Sequence, residues 1–281
     1  MIPNTRQLAE TVAASLNALF GLALNSLCAL CGKRSSAAIC PGCVSTFERL
    51  ESACCPKCGR PKFAPGSSDH ARTIYCGECE ERRIDRRKRW YFDRAVSLFL
   101  YEGRMREAIL TLKYRRRFRI ADVLGALFAQ YFPHRLICES VEASSEFNVV
   151  IPVPLHISRL MEREFNQAAI LARYVAEAMS LRVSYEVLER TRATAPQWTL
   201  TSIQQKIENV KGAFKVRRPK AIKDAKILLI DDIFTRGATA NECAKTLMKA
   251  GAGSVVVGAL STPHLGHDTP GAAYESVEQR P

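Results

Sequence analysis

Residues 227–239 read Ile-Leu-Leu-Ile-Asp-Asp-Ile-Phe-Thr-Arg-Gly-Ala-Thr, and the order of chemistries in this stretch decides the fold. Four uninterrupted apolar residues, Ile227 to Ile230, suit a strand covered on both faces. Two adjacent carboxylates, Asp231 and Asp232, follow at its carboxyl end, where ligands sit in parallel sheets flanked by helices. Thr235, Arg236, Gly237, Ala238 and Thr239 then lead into a helical pattern over residues 238–249, closed by Gly251. Small residues at a helix start let backbone N–H groups close around a phosphate, and the two threonines add hydroxyl donors. Gly237 lacks the Cβ that would hinder such an approach. Carboxylates repel phosphate, but they suit the hydroxyls of a neighbouring ribose or a magnesium ion beside a pyrophosphate. An ordinary strand-to-helix turn with a capping Asp would need one acid and no threonine pair.

Outward from this stretch, short β-branched runs alternate with helical patterns. Strands are expected at 94–101, 147–153, 226–230 and 254–260, and helices at 105–114, 120–132, 165–179 and 238–249. Apolar strands alternating with helices predict an α/β domain over 90–262, built on a parallel sheet. Before it lies a cysteine-rich module, 28–89, preceded by a helical segment, 1–27. After it, 263–281 has the composition of a disordered tail.

Eight of the 11 cysteines form four Cys-x-x-Cys pairs: Cys28/Cys31, Cys40/Cys43, Cys55/Cys58 and Cys76/Cys79. Two residues between thiolates let a tight turn aim both sulfurs at one tetrahedral ion, so two pairs complete a shell. Serial pairs of this kind point to one or two structural zinc ions rather than to disulfides. Sequential pairing is the first choice; interleaved pairing, loss of one site, or Cys54 in place of Cys55 are the alternatives. Cys138 and Cys243 lie in apolar, helix-like sequence and read as buried small hydrophobes.

The formal net charge is +13. Between Arg82 and Arg119, 14 Lys and Arg face four Asp and Glu. Lys113, Arg115, Arg116 and Arg117 form one dense cluster, and Trp90, Tyr91, Phe92, Tyr114 and Phe118 are interleaved along the strip. Cations with ring faces are what single-stranded nucleic acid requires. A solvated face whose aromatics point into the core is the equal alternative. Asn17 and Asn25 interrupt the apolar residues of 8–30, which gives neither a membrane span nor a secretory signal; a cytoplasmic protein is expected.

The run LLIDDIFTRGATANECAKTL resembles the phosphoribosyl pyrophosphate (PRPP) motif of type I phosphoribosyltransferases. The chain from Cys28 to Leu260 resembles the ComF/GntX family, which joins a double zinc ribbon to such a domain. Further marks are Tyr101-Glu102-Gly103 through Leu112-Lys113-Tyr114, Ile151-Pro152-Val153-Pro154-Leu155 with Arg159, and Arg163-Glu164-Phe165-Asn166-Gln167. Arg190, Arg192, Thr194, Gln197, Asn209-Val210 and Gly212-Ala213-Phe214 also fit. Three positions depart from the family pattern: Arg236 stands for a threonine, Glu164 for a glycine, and Lys206 for an arginine.

The resemblance implies a type I phosphoribosyltransferase-like parallel sheet with flanking helices behind a zinc-ribbon module. It places the ribose hydroxyls on Asp231 and Asp232, the catalytic pair, and the 5′-phosphate on residues 235–239. Pro154, Leu155 and Arg159 would lie in a loop on the pyrophosphate side, with Mg2+ accompanying the ligand, and Arg190, Arg192 and Gln197 in a covering loop. Lys113 and Tyr114 would be substrate-side residues or plain helix surface. Members of the family are associated with the uptake of single-stranded DNA in natural competence. The expected function is therefore binding of PRPP or a nucleotide within DNA uptake, alongside other competence proteins. The alternatives are a phosphoribosyltransferase with an unidentified acceptor and a DNA-binding adaptor.

Overall fold

A computed structural model describes residues 26–50, 54–62, 74–85, 88–114, 118–138 and 147–264. Most of the segment 1–27, nearly all of 263–281, Arg86, Arg87 and Arg115 to Arg117 lie outside the described residues. The chain divides into two compact units, residues 1–46 and 47–281.

In the first unit, β1 (Ser26–Leu27) pairs antiparallel with β2 (Arg34–Ser35), and the connection between them carries Cys28 and Cys31. A short helix, α1 (Pro41–Val44), follows with Cys40 at its N-cap. Pro41 fits there because the first helical N–H has no partner within the helix anyway.

The second unit runs α2 (Gly77–Ile84), β3 (Arg94–Leu100), α3 (Gly103–Tyr114), α4 (Phe118–Cys138) and β4 (Val149–Pro152). It continues with α5 (Ile157–Arg163), α6 (Gln167–Ala178), β5 (Leu188–Arg190), α7 (Ile203–Val210) and β6 (Phe214–Val216). It ends with β7 (Lys226–Ile233), α8 (Ala238–Lys249) and β8 (Ser254–Thr262). Four strands form one sheet in the order β3-β8-β7-β4, and every neighbouring pair is parallel. β5 and β6 make a separate antiparallel pair.

Ile227 to Ile230 are fully buried in the centre of that sheet, which is why the run has no polar alternation. α4 and α6 pack on each other, and α6 also packs on β4 and β7, while α8 packs on β6, β7 and β8. Gly125 permits the first of these contacts, since a Cβ there would lie 2.3 Å from the Tyr174 ring. Asn166 caps α6, its side chain accepting from the Ala168 N–H at 3.0 Å. Among the described residues no helix is long and apolar enough to cross a membrane.

Three local expectations change. The helix expected to stop at Phe132 continues through Pro133 to Cys138. Leu124, Phe128, Phe132 and Leu136 repeat at four-residue spacing and are all buried, so the apolar stripe outweighs the proline's cost of about 3 kcal/mol. Strand β7 runs to Ile233 rather than ending before the acids, because β8 pairs with it that far. Residues 157–163, within and beyond the expected pyrophosphate-side loop, form helix α5.

Candidate functional site

Asp231 sits opposite Ala259 and Ile233 opposite Ser261, so the acidic pair belongs to the hydrogen-bonded strand rather than to a loop beyond it. Two bonds fix the chain's exit from β7: Phe234 N–H donates to the Ser261 carbonyl at 2.9 Å, and Thr262 Oγ1 donates to the Phe234 carbonyl at 2.7 Å. Gly237 is the N-cap of α8 in the left-handed region, with φ +68°, and no side chain caps the helix there. First-turn N–H groups without a side-chain cap are donors suited to an anion.

The two carboxylates differ. Burial, reinforced by the neighbouring Asp232, pushes the Asp231 carboxyl up to about 8, while Lys113 pulls it back. Asp232 is 8% exposed, and its Oδ2 lies 2.8 Å from Lys113 Nζ. Lys113 therefore turns inward from the basic strip to the acidic pair.

Asp231, Asp232 and residues 235–239 open onto one cavity of about 250 Å³. Leu155 and Arg159 line it, as do Arg190, Gln197 and Lys206. Pro154 does not; it lines a neighbouring cavity. Arg159 stands on α5, whose N-cap is His156, and pairs with Glu162 at 2.6 Å. Arg192 also stays out of the cavity, its Nη2 donating to the carbonyls of Asn209 (3.0 Å) and Lys211 (2.8 Å). Arg190 donates to Thr194 Oγ1. Glu164 takes the left-handed backbone, φ +68°, so the turn that ends α5 persists without a glycine.

Arg106 and Gln167 line the same cavity, although nothing in their local pattern marked them as site residues. Arg106 reads as one more charge in the strip, and Gln167 as a helix start. Among the described residues, Arg106 Nε, Arg163 Nε, Gln167 Nε2, Arg190 Nε and Gln197 Nε2 are buried donors without a hydrogen-bond partner, and all five belong to residues that line this cavity.

The cysteines gather sequentially. Cys28, Cys31, Cys40 and Cys43 form one group, and Cys55, Cys58, Cys76 and Cys79 another, with ligand atoms in each group within 4.8 Å of one another. Cys28 and Cys43 Sγ are 3.8 Å apart, Cys31 and Cys40 3.7 Å, and Cys58 and Cys76 3.6 Å. A tetrahedral zinc with Zn–S bonds of about 2.3 Å requires edges of roughly 3.8 Å, so both groups fit the ion. N–H donors also point at the sulfurs, as they do around thiolate ligands: Cys40 N at Cys28 (3.3 Å), Cys76 N at Cys55 (3.4 Å) and Trp90 Nε1 at Cys79 (3.3 Å). Cys54 stands apart, its sulfur accepting from Arg135 Nη2 at 3.4 Å. Cys243 is fully buried, and the Cys138 side chain lies outside the described residues.

Within the basic strip, Phe92 is buried and Trp90 packs against it at 4.8 Å between ring centroids. Arg82 is itself buried, with its guanidinium 3.9 Å from the Trp90 ring centroid. These members of the strip face inward. Arg115, Arg116 and Arg117 lie outside the described residues.

Residues 16–80 match the double zinc ribbon domain family. The chain is similar to the DNA utilization protein YhgH of Escherichia coli O6:H1, at 30% identity over 79% of this chain and 89% of that protein. It is also similar to competence protein ComFC of Bacillus subtilis, at 27% identity over 76% of this chain and 79% of that one. The solved structure of glutamine PRPP amidotransferase from B. subtilis, complexed with ADP and GMP, aligns with 53% of this chain and 26% of its own length. The TM-score of that alignment is 0.31 and the identity 19%.

Proposed function

This chain belongs to the ComF/GntX family of DNA utilization and competence proteins, and from that premise we propose that it binds PRPP or a related nucleotide within single-stranded DNA uptake. In this reading the protein works in the cytoplasm beside other competence proteins, with 28–89 as its zinc-ribbon module and 90–262 as its ligand-binding domain.

One observation carries the proposal. The acidic pair, the Gly237 turn and five arginines, Arg106, Arg159, Arg163, Arg190 and Arg236, line a single cavity. Several guanidinium groups beside the helix-start N–H donors favour a ligand rich in anionic oxygen acceptors. Phosphates supply those acceptors, and a ribose supplies the hydroxyls that Asp231 and Asp232 would receive. Asp231 and Asp232 would also hold Mg2+, which when bound neutralises pyrophosphate charge. Arg159 and Leu155 would flank the pyrophosphate, and Thr235 to Thr239 would wrap the 5′-phosphate through the first-turn N–H groups of α8. The basic cluster of Arg115, Arg116 and Arg117 would follow a DNA backbone.

Calorimetric titration of the full, zinc-loaded chain with Mg2+–PRPP, repeated in the presence of labelled single-stranded DNA, tests this function. Saturable PRPP binding is expected, together with DNA binding that weakens steeply with salt. Each ligand should shift the affinity of the other by the same factor. Absent PRPP binding, or two affinities indifferent to each other, would refute it.

A further inference from the structure

Glu78 lies between two members of the second cysteine group, Cys76 and Cys79, and its carboxylate faces three guanidinium groups. Arg60 Nη2 donates to Oε2 at 2.6 Å, and Arg82 donates to Oε1 through Nε at 3.2 Å and Nη2 at 3.1 Å. The third is Arg236, whose Nη1 stands 3.5 Å from Oε2. Arg236 is the second residue of the Thr235–Thr239 turn and lines its cavity.

A second link runs beside this one. The indole of Trp90 donates Nε1–H to Cys79 Sγ at 3.3 Å, and its ring lies behind Gly237, where a Cβ would come within 3.0 Å of Cζ3. Phe234, the residue leaving β7, closes the same space at 2.6 Å. Nearby, Asn241 Oδ1 of α8 accepts from the Tyr91 N–H at 2.7 Å. One ionic and one steric contact thus connect the second cysteine group to two consecutive residues of the turn.

We infer that the group Cys55, Cys58, Cys76 and Cys79 is the platform that sets the conformation of the 235–239 turn, with Glu78 as the positioning residue for Arg236. Arg60 and Arg82 already supply Glu78 with hydrogen bonds, so the longer Arg236 contact is held by charge. A cation held in this way can be shared with an anion arriving at the turn. Arg236 therefore gives this chain an ionic strut from its ribbon to its turn that a threonine at the same position could not make. As a statement about ligand binding, the inference rests on the PRPP reading of the cavity; as a statement about the turn's order, it does not.

The test uses the full, zinc-loaded chain and the variants Glu78→Gln, Arg236→Thr and their combination. Zinc content is measured by chromophoric chelator, amide hydrogen exchange over residues 235–239 by mass spectrometry, and Mg2+–PRPP affinity by calorimetry. Each single variant should keep both zinc ions, speed exchange at the turn and weaken PRPP roughly tenfold. The double variant should be no weaker than Arg236→Thr alone. Should Glu78→Gln lose zinc, Arg236→Thr decides, because it leaves the Arg60 and Arg82 contacts in place. Faster exchange in a chain that never binds PRPP would refute the PRPP reading and keep the strut. Unchanged exchange in Arg236→Thr, or additive losses in the double variant, would overturn the strut.

Discussion

Lys113 on α3 and Asp232 on β7 meet at 2.8 Å inside the cavity, with only 13% and 12% of their side chains exposed. A nearly buried ion pair adds little to stability as a pair, but removing one partner strands the other charge. Lys113→Met should therefore destabilise the second unit by about 3 kcal/mol. Urea denaturation, with the slope unchanged and the midpoint lowered, is the measurement. The same lysine lowers the Asp231 carboxyl, so the variant should also move any Asp231-linked titration upward.

Asp231 gives a pH dependence of definite sign. Its folded carboxyl is pushed up to about 8 by burial and by Asp232, against an ordinary value of 3.8. The folded state then holds a proton that the unfolded state has released, and stability falls as pH rises between those values, by up to about 1.4 kcal/mol per unit. Below pH 4 this contribution is fully present; above pH 8 it is gone. Asp231→Asn should flatten that part of the stability profile, and Mg2+–PRPP binding, which favours the ionised acid, should release protons near neutral pH. Calorimetry in buffers of different ionisation enthalpy reads the second effect.

Glu164 holds a left-handed backbone that glycine adopts without strain. Glu164→Gly should raise stability by about 0.5–1 kcal/mol, the relief of strain being partly offset by the freer unfolded chain. A melting temperature higher by a few degrees is the expected reading, with the Arg163 to Gln167 segment unchanged.

Both cysteine groups have sulfur spacings that fit zinc. Purified protein should carry two zinc ions per chain by mass spectrometry under native conditions. Cys43→Ser should remove one and leave the other, since Cys43 belongs to the first unit and Cys55, Cys58, Cys76 and Cys79 to the second. Stripping the second ion should cost more order, because Trp90 and Arg60 donate to sulfurs of that group.

Much of this architecture was legible in the sequence because it is written in local patterns. The Ile227 to Ile230 run, the acids after it and the glycine before α8 each signal their role within a few residues. Cysteine spacing did the same for the two four-sulfur groups. Contacts between distant positions left no such trace. The sequence leaves Trp90 equally a stacking face for bases or a ring turned into the core; it packs behind Gly237, nearly 150 residues away in sequence. Lys113 reads from the sequence as a member of the basic strip and, through the family resemblance, as a substrate-side residue or plain helix surface; its partner Asp232 shows only in the approach of α3 to β7. Helices α5 and α7 are short and carry few buried residues, so they lack the apolar period that reveals α4 and α6.

The most direct test of the central claim is titration of Mg2+–PRPP into the zinc-loaded chain and into Gly237→Val. A valine Cβ at that position would strike Phe234 and Trp90 and would have to hold φ +68°, which distorts the turn and leaves the acids in place. The expected result is one saturable site per chain in the natural protein and its loss in the variant, with both zinc ions retained. Equal binding by both proteins, or no binding by either, would contradict a phosphate site at residues 235–239.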